Sequence, residues 1–179
     1  MALEWLSRLL TSDRPDPAAA RPAASTGAPA RVPARRRNQR IDAEVHMIAQ
    51  RFSRPPYQGV YYDDEARDWL VIPNYPLPDR FRERRCDLLI VFPECYPDTP
   101  PIGFYLNRRF QLRDGGYDPH ATGKAYHGAP DLTEQGWHWY CVQLDMSVPG
   151  AWRPQADPQR PDNLWTYLNL VRETLTNDF

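Results

Sequence analysis

Hydrophobic positions along the chain follow two periods, and these separate its ends from its middle. Ile41, Val45, Ile48 and Phe52 stand at i, i+4, i+7 and i+11, one face of an amphipathic helix. Asn38 is placed to cap its start and Pro55-Pro56 to stop it. Leu164, Leu168, Val171 and Leu175 repeat the same stripe, behind Pro161 and with Asp162 or Asn163 as cap. Between the two helices the pattern shortens to extended segments: Gly59 to Tyr62, Trp69 to Ile72, Cys86 to Phe92 and Ile102 to Leu106. The polar residues 63–67 suit a hairpin between the first two. The third segment alternates only partly, which predicts a well-buried strand. From Asn107 to Gly136 the sequence reads as irregular, and a dense aromatic cluster (Trp137, Trp139, Tyr140) then leads directly into Cys141. Helix, four-stranded antiparallel meander, long irregular section and helix predict an α+β domain.

The first forty residues break this pattern. Residues 11–40 hold seven arginines against two aspartates, a net +5, with Val32 the one aliphatic residue beyond alanine. Such a stretch cannot bury enough apolar surface to offset its ordering entropy. Residues 11–37 are therefore expected to be a Pro/Ala/Arg-rich disordered linker, and 38–179 the folded domain. Ahead of the linker, Leu3, Leu6 and Leu10 with Trp5 and Leu9 form a short helical stripe over 1–10. It reads either as a docking helix for a partner or membrane surface, or as a free end lying back on the domain.

Charge and cysteine usage narrow the function classes. The chain carries a net −1, so residues 41–179 hold −6 once the basic stretch is set aside. Nucleic acid is not an expected partner, and the basic run 34–40 has no interleaved aromatics. No apolar run approaches the roughly 18 residues a membrane span requires, and the first ten residues do not resemble a signal peptide. Three widely spaced cysteines make no disulfide framework, which points to a reducing, cytoplasmic setting.

The most informative segment is Phe92-Pro93-Glu94-Cys95-Tyr96-Pro97-Asp98-Thr99-Pro100-Pro101. Pro93 and Pro97 fix φ and remove ladder donors, Tyr96 supplies a large face to pin the turn, and Pro100-Pro101 launches the next strand extended. The physical expectation is a rigid corner. Strand, Phe-Pro-x-x-Tyr-Pro-x-x-Pro-Pro and strand resembles the central corner of ubiquitin-conjugating enzymes. Cys141, then Trp152-Arg153-Pro154, then an amphipathic helix resembles that family's order of active-site cysteine, Trp-x-Pro and crossover helix. The resemblance spans roughly 38–178 and is closest to stand-alone bacterial members, which are associated with an activating enzyme, a ubiquitin-like protein and a deconjugase, often in anti-phage systems.

The resemblance implies a transferase that accepts a ubiquitin-like protein as a thioester on Cys141 and passes it to a lysine amine of a target, without a cofactor. It also implies docking of an activating enzyme on the first helix, with Arg36, Arg37 and Arg40 facing an acidic surface. The sequence departs from the family in one catalytic feature: no asparagine lies between Arg108 and Cys141, so the usual His-Pro-Asn donor is missing. His127, His138 or a backbone N–H would have to substitute. His138 lies three residues before Cys141, and in an extended segment the two point to opposite faces. Asp145, Asp157 and Asp178 are candidate acids for receiving the proton of the incoming lysine.

Other readings of the same residues stand beside this one. A cysteine amid Trp and Tyr is commonly a small buried hydrophobe, and the chain would then be a non-catalytic binding module of the same fold. Cys86 and Cys95 read as structural. His127, His138 and Cys141 would be three ligands of a zinc hydrolase, without a fourth ligand or a finger spacing; no metal is expected. Asp114-Gly115-Gly116 is a turn rather than a phosphate loop, and His120 and Lys124 read as solvated.

Overall fold

The computed structural model describes residues 34–177, apart from 56, 58, 123, 124, 126, 127, 143, 145–147 and 149. The expected helix at 1–10 and linker up to residue 33 lie outside the described residues. The first helix, α1, spans Ala34–Arg51, starting four residues ahead of the expected cap at Asn38. The reason lies in two of the arginines assigned above to docking. Arg37 turns inward and donates to the carbonyls of Pro93 (3.3 Å), Arg67 (3.2 Å) and Phe92 (3.5 Å), and pairs with Asp68 at 3.3 Å. Arg40 is also buried, paired with Glu44 and donating to the carbonyls of Gln155 and Asp162. These contacts supply the tertiary packing that carries most helical stability. Ile41, Val45, Ile48 and Phe52 are all buried, as their spacing predicts.

Among the described residues one six-stranded sheet follows: β1 (Tyr61–Tyr62), β2 (Trp69–Pro76), β3 (Arg85–Val91), β4 (Gly103–Leu106), β5 (Ala121–Thr122) and β6 (His138–Cys141). The spatial order is β1-β2-β3-β4-β6-β5, and every neighbouring pair is antiparallel. The first four strands are the predicted meander. β2 runs past Ile72 because the ladder shifts register between Ile72 and Tyr75, where Asn74 takes a positive φ of 55° and its N–H donates to Asp87; this is a bulge. The β1–β2 turn is held by Asp63, whose carboxylate accepts from the N–H groups of Glu65 and Ala66. The final helix, α2 (Leu164–Thr176), is capped by Asn163, whose side chain accepts from Thr166 N–H at 2.9 Å. Leu164, Leu168, Val171 and Leu175 are buried.

Alternation along the strands divides the core in two. Leu70, Ile72, Leu88, Ile90, Phe104, Leu106 and Tyr140 face α1 and α2. Trp69, Val71, Leu89, Tyr105 and Trp139 face the other way, where Leu132 and Trp137 of the segment before β6 cover them. The section read as irregular therefore supplies one strand, β5, and part of the cover for the back of the sheet, and β6 follows directly after it. Full burial of side chains such as Leu132 and Trp137 is worth about 2–3 kcal/mol each, enough to hold that cover down.

The Pro-rich corner between β3 and β4 is tied to the core by Tyr96 and Trp152. Tyr96 is fully buried, packs edge-to-face on Phe92 at 5.2 Å, and its hydroxyl donates to Glu44 of α1. The Tyr96–Pro97 peptide is cis. Trp152 Nε1–H donates to the Pro97 carbonyl at 2.7 Å, so the Trp-x-Pro segment is tied to the corner. Glu44 also accepts from Leu164 N–H at 2.7 Å, at the start of α2.

Candidate functional site

Cys141 ends β6, directly opposite Gly103 of β4. It is a strand residue and not a loop residue, and its side chain packs, half-buried, on the back-face cluster beside Trp139. The thiol makes one weak sulfur contact, to the Val142 carbonyl at 3.8 Å. Burial pushes its pKa above the ordinary cysteine value. A free thiol near 8.5 is already only a few per cent thiolate at neutral pH, and Cys141 falls below that. Alkylation of the native protein is therefore expected to be slower at pH 7 than that of a free thiol. Its rate should still be climbing with pH where a free thiol has levelled off, a profile that iodoacetamide labelling read by mass would check.

Gly103 is the residue this site needs and the sequence reading passed over. A Cβ built there would sit 2.4 Å from Trp139 Nε1 and 2.5 Å from both Trp139 Cε2 and the Tyr140 carbonyl oxygen. The indole of Trp139 thus occupies the space beside Cys141 that a side chain at 103 would take. Glycine inside a strand marks such a close approach, and that was the available signal. Gly103→Ala should cost about 1–3 kcal/mol by overpacking and displace β6. Thermal melting together with the alkylation rate of Cys141 would register both effects.

Beside Gly103 a groove of about 270 Å³ opens along the same face. Its walls include Val91, Pro93, Pro101, Tyr105 and Pro130, so it is largely apolar. The corner prolines thus lead to the neighbourhood of Cys141. Of the corner residues, Tyr96, Pro97, Pro100, Pro101 and Trp152 are buried, while Pro93 and Pro154 are half-exposed. A second groove, of about 280 Å³, runs between α1 and the segment after Trp152, lined by Arg36, Gln39, Arg40, Pro97 and Gln155.

Of the proposed assistants of Cys141, His138 and Asp157 are among the described residues, and neither is a hydrogen-bond partner of the thiol. His138 shares its face with Tyr140 and points away from Cys141, as the three-residue spacing implies. Burial, and then the Arg109 guanidinium, hold its pKa below the usual histidine value. Asp157 is exposed in a turn of its own, accepting from Gln159 N–H at 2.9 Å. His127, Asp145 and Asp178 lie outside the described residues. Since His138 and Cys141 occupy opposite faces, they do not join in one zinc site. Of the three arginines assigned to docking, Arg36 is exposed, whereas Arg37 and Arg40 are spent inside the fold as described above. Burial of their guanidiniums corrects that assignment.

The other two thiols stand apart from this groove in chemistry. Cys86 is buried on the helix side, donates to the Tyr75 carbonyl at 3.6 Å, and is held far above the ordinary thiol range by burial. Cys95 sits half-buried within the corner. No helix among the described residues is long and apolar enough to cross a membrane. The family model for "Prokaryotic E2 family E" matches residues 57–178, from the residues before β1 to the end of α2. No significant match exists among curated proteins or among solved structures.

Proposed function

Because the chain belongs to the prokaryotic E2 family E, we propose that it conjugates a ubiquitin-like protein through a thioester on Cys141. In the first step Cys141 Sγ attacks the carbonyl carbon of the activated modifier, and the donor thiol leaves with the proton. In the second, a lysine amine of the target attacks that carbon, an amide forms and the Cys141 thiol is released. The observation that carries this reading is the position of Cys141. It is a half-exposed thiol opposite a glycine, beside a groove that starts at the Pro-rich corner. The activating enzyme would approach α1 at the exposed Arg36, on the rim of the second groove. A bacterial ubiquitin-like pathway in the cytoplasm, with a role against phage, is part of the same proposal.

The raised pKa and apolar packing of Cys141 favour one other reading, a binding module of the same fold in which the thiol is structural. A charging reaction separates the two. The protein is mixed with an activating enzyme, its ubiquitin-like protein and ATP, and intact mass is read without reductant. An adduct of the modifier less one water, removed by added thiol, supports the transferase. Its absence, with the activating enzyme shown to charge itself, supports the module.

Composition adds a prediction to the transferase reading. The chain holds 21 arginines and one lysine, Lys124, which lies outside the described residues. An enzyme that delivers acyl groups to ε-amines then presents a single ε-amine of its own. After prolonged charging, thiol-resistant self-adducts are expected only at Lys124 and the α-amine, and Lys124→Arg should remove the first. Peptide mapping by mass would show this.

A further inference from the structure

The far end of the sheet carries a basic surface that the transfer chemistry leaves unused. Arg80-Phe81-Arg82-Glu83-Arg84 and Arg109-Phe110-Gln111-Leu112-Arg113 both alternate with a period of two. The two segments pair as a short antiparallel ribbon: Phe81 bridges Leu112, Arg82 N–H donates to the Gln111 carbonyl at 3.0 Å, and Arg113 N–H to the Arg80 carbonyl at 2.8 Å. Phe81 and Phe110 are fully buried with ring centroids 6.5 Å apart. That pins the phenylalanines to the core and leaves Arg82, Arg84, Arg109 and Arg113 exposed.

Some of this charge is matched. Arg80 pairs with the buried Asp118 at 2.6 Å, and Arg84 pairs with Asp79. Asp114 is exposed and accepts from Gly116 N–H within its own turn, and Glu83 turns one carboxylate oxygen inward. Arg82, Arg108, Arg109 and Arg113 are exposed and form no ion pair among the described residues. Arg109 stacks over the exposed Tyr117 ring at 4.6 Å, and Gln111 joins this group by donating to the Tyr117 hydroxyl at 3.3 Å. The group is made of arginine and not lysine, so it is a surface for bidentate carboxylate pairing.

We propose that this arginine ribbon docks an extended acidic segment of a protein partner. Alternate residues of an extended strand repeat at about 6.8 Å. The exposed Arg82 on one segment, and Arg109 beside Gln111 on the other, flank the Phe81–Leu112 bridge and offer guanidiniums to acidic side chains at i and i+2 of the bound segment. A nucleic acid suits the surface less well. Few arginines are unmatched, giving only a small counterion-release gain, and a longer polyanion would overrun onto a domain that is acidic outside the ribbon. β4 runs from Gly103, opposite Cys141, to Leu106, and Arg108 and Arg109 follow. The ribbon is therefore about 10 Å or more along the sheet from the thiol, and a segment bound there leaves Cys141 open. This inference does not rest on the transfer reaction and can fail or stand without it.

The test is fluorescence anisotropy on the full chain with three labelled probes. They are an eight-residue peptide alternating Glu and Ser, its Gln/Ser counterpart, and a twelve-nucleotide single strand. The acidic peptide should bind, weaken as salt shortens the Debye length from about 10 Å at 0.1 M, and lose at least about tenfold in Arg82→Glu/Arg109→Glu, as for paired charges at an interface. Arg54→Glu/Arg160→Glu, which changes net charge equally on other surfaces, should bind like the wild type. Circular dichroism shows whether the ribbon variant folds, and Arg82→Gln/Arg109→Gln replaces it if it does not. No binding of the acidic peptide, an equal loss in the control variant, or tighter binding of the single strand would overturn the proposal.

Discussion

Cys141→Ala is expected to abolish the thiol-reversible adduct in the charging reaction, while Cys86→Ala and Cys95→Ala retain it. The expectation follows from where each sulfur sits. Cys86 is buried on β3, opposite Tyr75 of β2, with its side chain in the helix-side core and its S–H donating to the Tyr75 carbonyl, so no acyl donor can reach it without opening that core. Cys95 is held in the corner, where its carbonyl accepts from Thr99 N–H. Cys141 alone of the three faces the back of the sheet beside the groove. Because Cys141 is half-buried at the end of a strand, alanine removes little packing, and the variant should melt close to the wild type. Loss of the adduct in a folded protein would then report chemistry. Cys141→Ser sharpens the test: a hydroxyl forms an ester in place of a thioester, so any remaining adduct should resist added thiol and yield to alkali. An adduct that survives Cys141→Ala would move the nucleophile elsewhere and sink the assignment.

Both helices and the meander were legible because each buries one stripe or one face against a common core. Ile41, Val45, Ile48 and Leu164, Leu168, Val171 are apolar at helical spacing, and periodicity reads that directly. The corner was legible because proline and tyrosine chemistry is local. What escaped was decided by contacts distant in sequence. The true start of α1 depends on Arg37 and Arg40 reaching carbonyls of the corner and of the segment before α2, and a hydrophobic pattern counts an arginine as solvent. β6 exists because four residues find β4 across more than thirty intervening positions. Nothing in His138-Trp139-Tyr140-Cys141 alone distinguishes that register from its neighbours. For the same reason, Gly103 could not be seen as the partner of Cys141 until the ladder was known. The period of two did foretell that His138 and Cys141 part company across the sheet.

Glu44 should be the most costly single position outside the site. Its carboxylate is fully buried and joins three elements: Arg40 of α1, the Tyr96 hydroxyl of the corner and Leu164 N–H at the start of α2. Removing it strands a buried guanidinium and leaves two donors to seek new partners. Breaking a buried pair from one side costs about 3–5 kcal/mol, and Glu44→Ala is expected at that level, read as a lowered denaturant midpoint. Glu44→Gln keeps the volume and can still accept from Tyr96 and Leu164, but it turns an amide N–H₂ toward Arg40, so it should fall between the two. The pH dependence has a defined sign. Burial raises the Glu44 pKa above the ordinary carboxylate value, against the opposing pull of Tyr96, Arg40 and Leu164. The native state therefore holds this proton more tightly than the unfolded chain does, and the contribution of the group falls as pH rises through its native pKa. The stability gap between wild type and Glu44→Gln should accordingly narrow from acid toward neutral pH. The same carboxylate fixes the corner that walls the groove beside Cys141. A destabilised Glu44 variant that still folds at low temperature should therefore also show altered alkylation of that thiol, a coupling that a merely local defect in α1 would not produce.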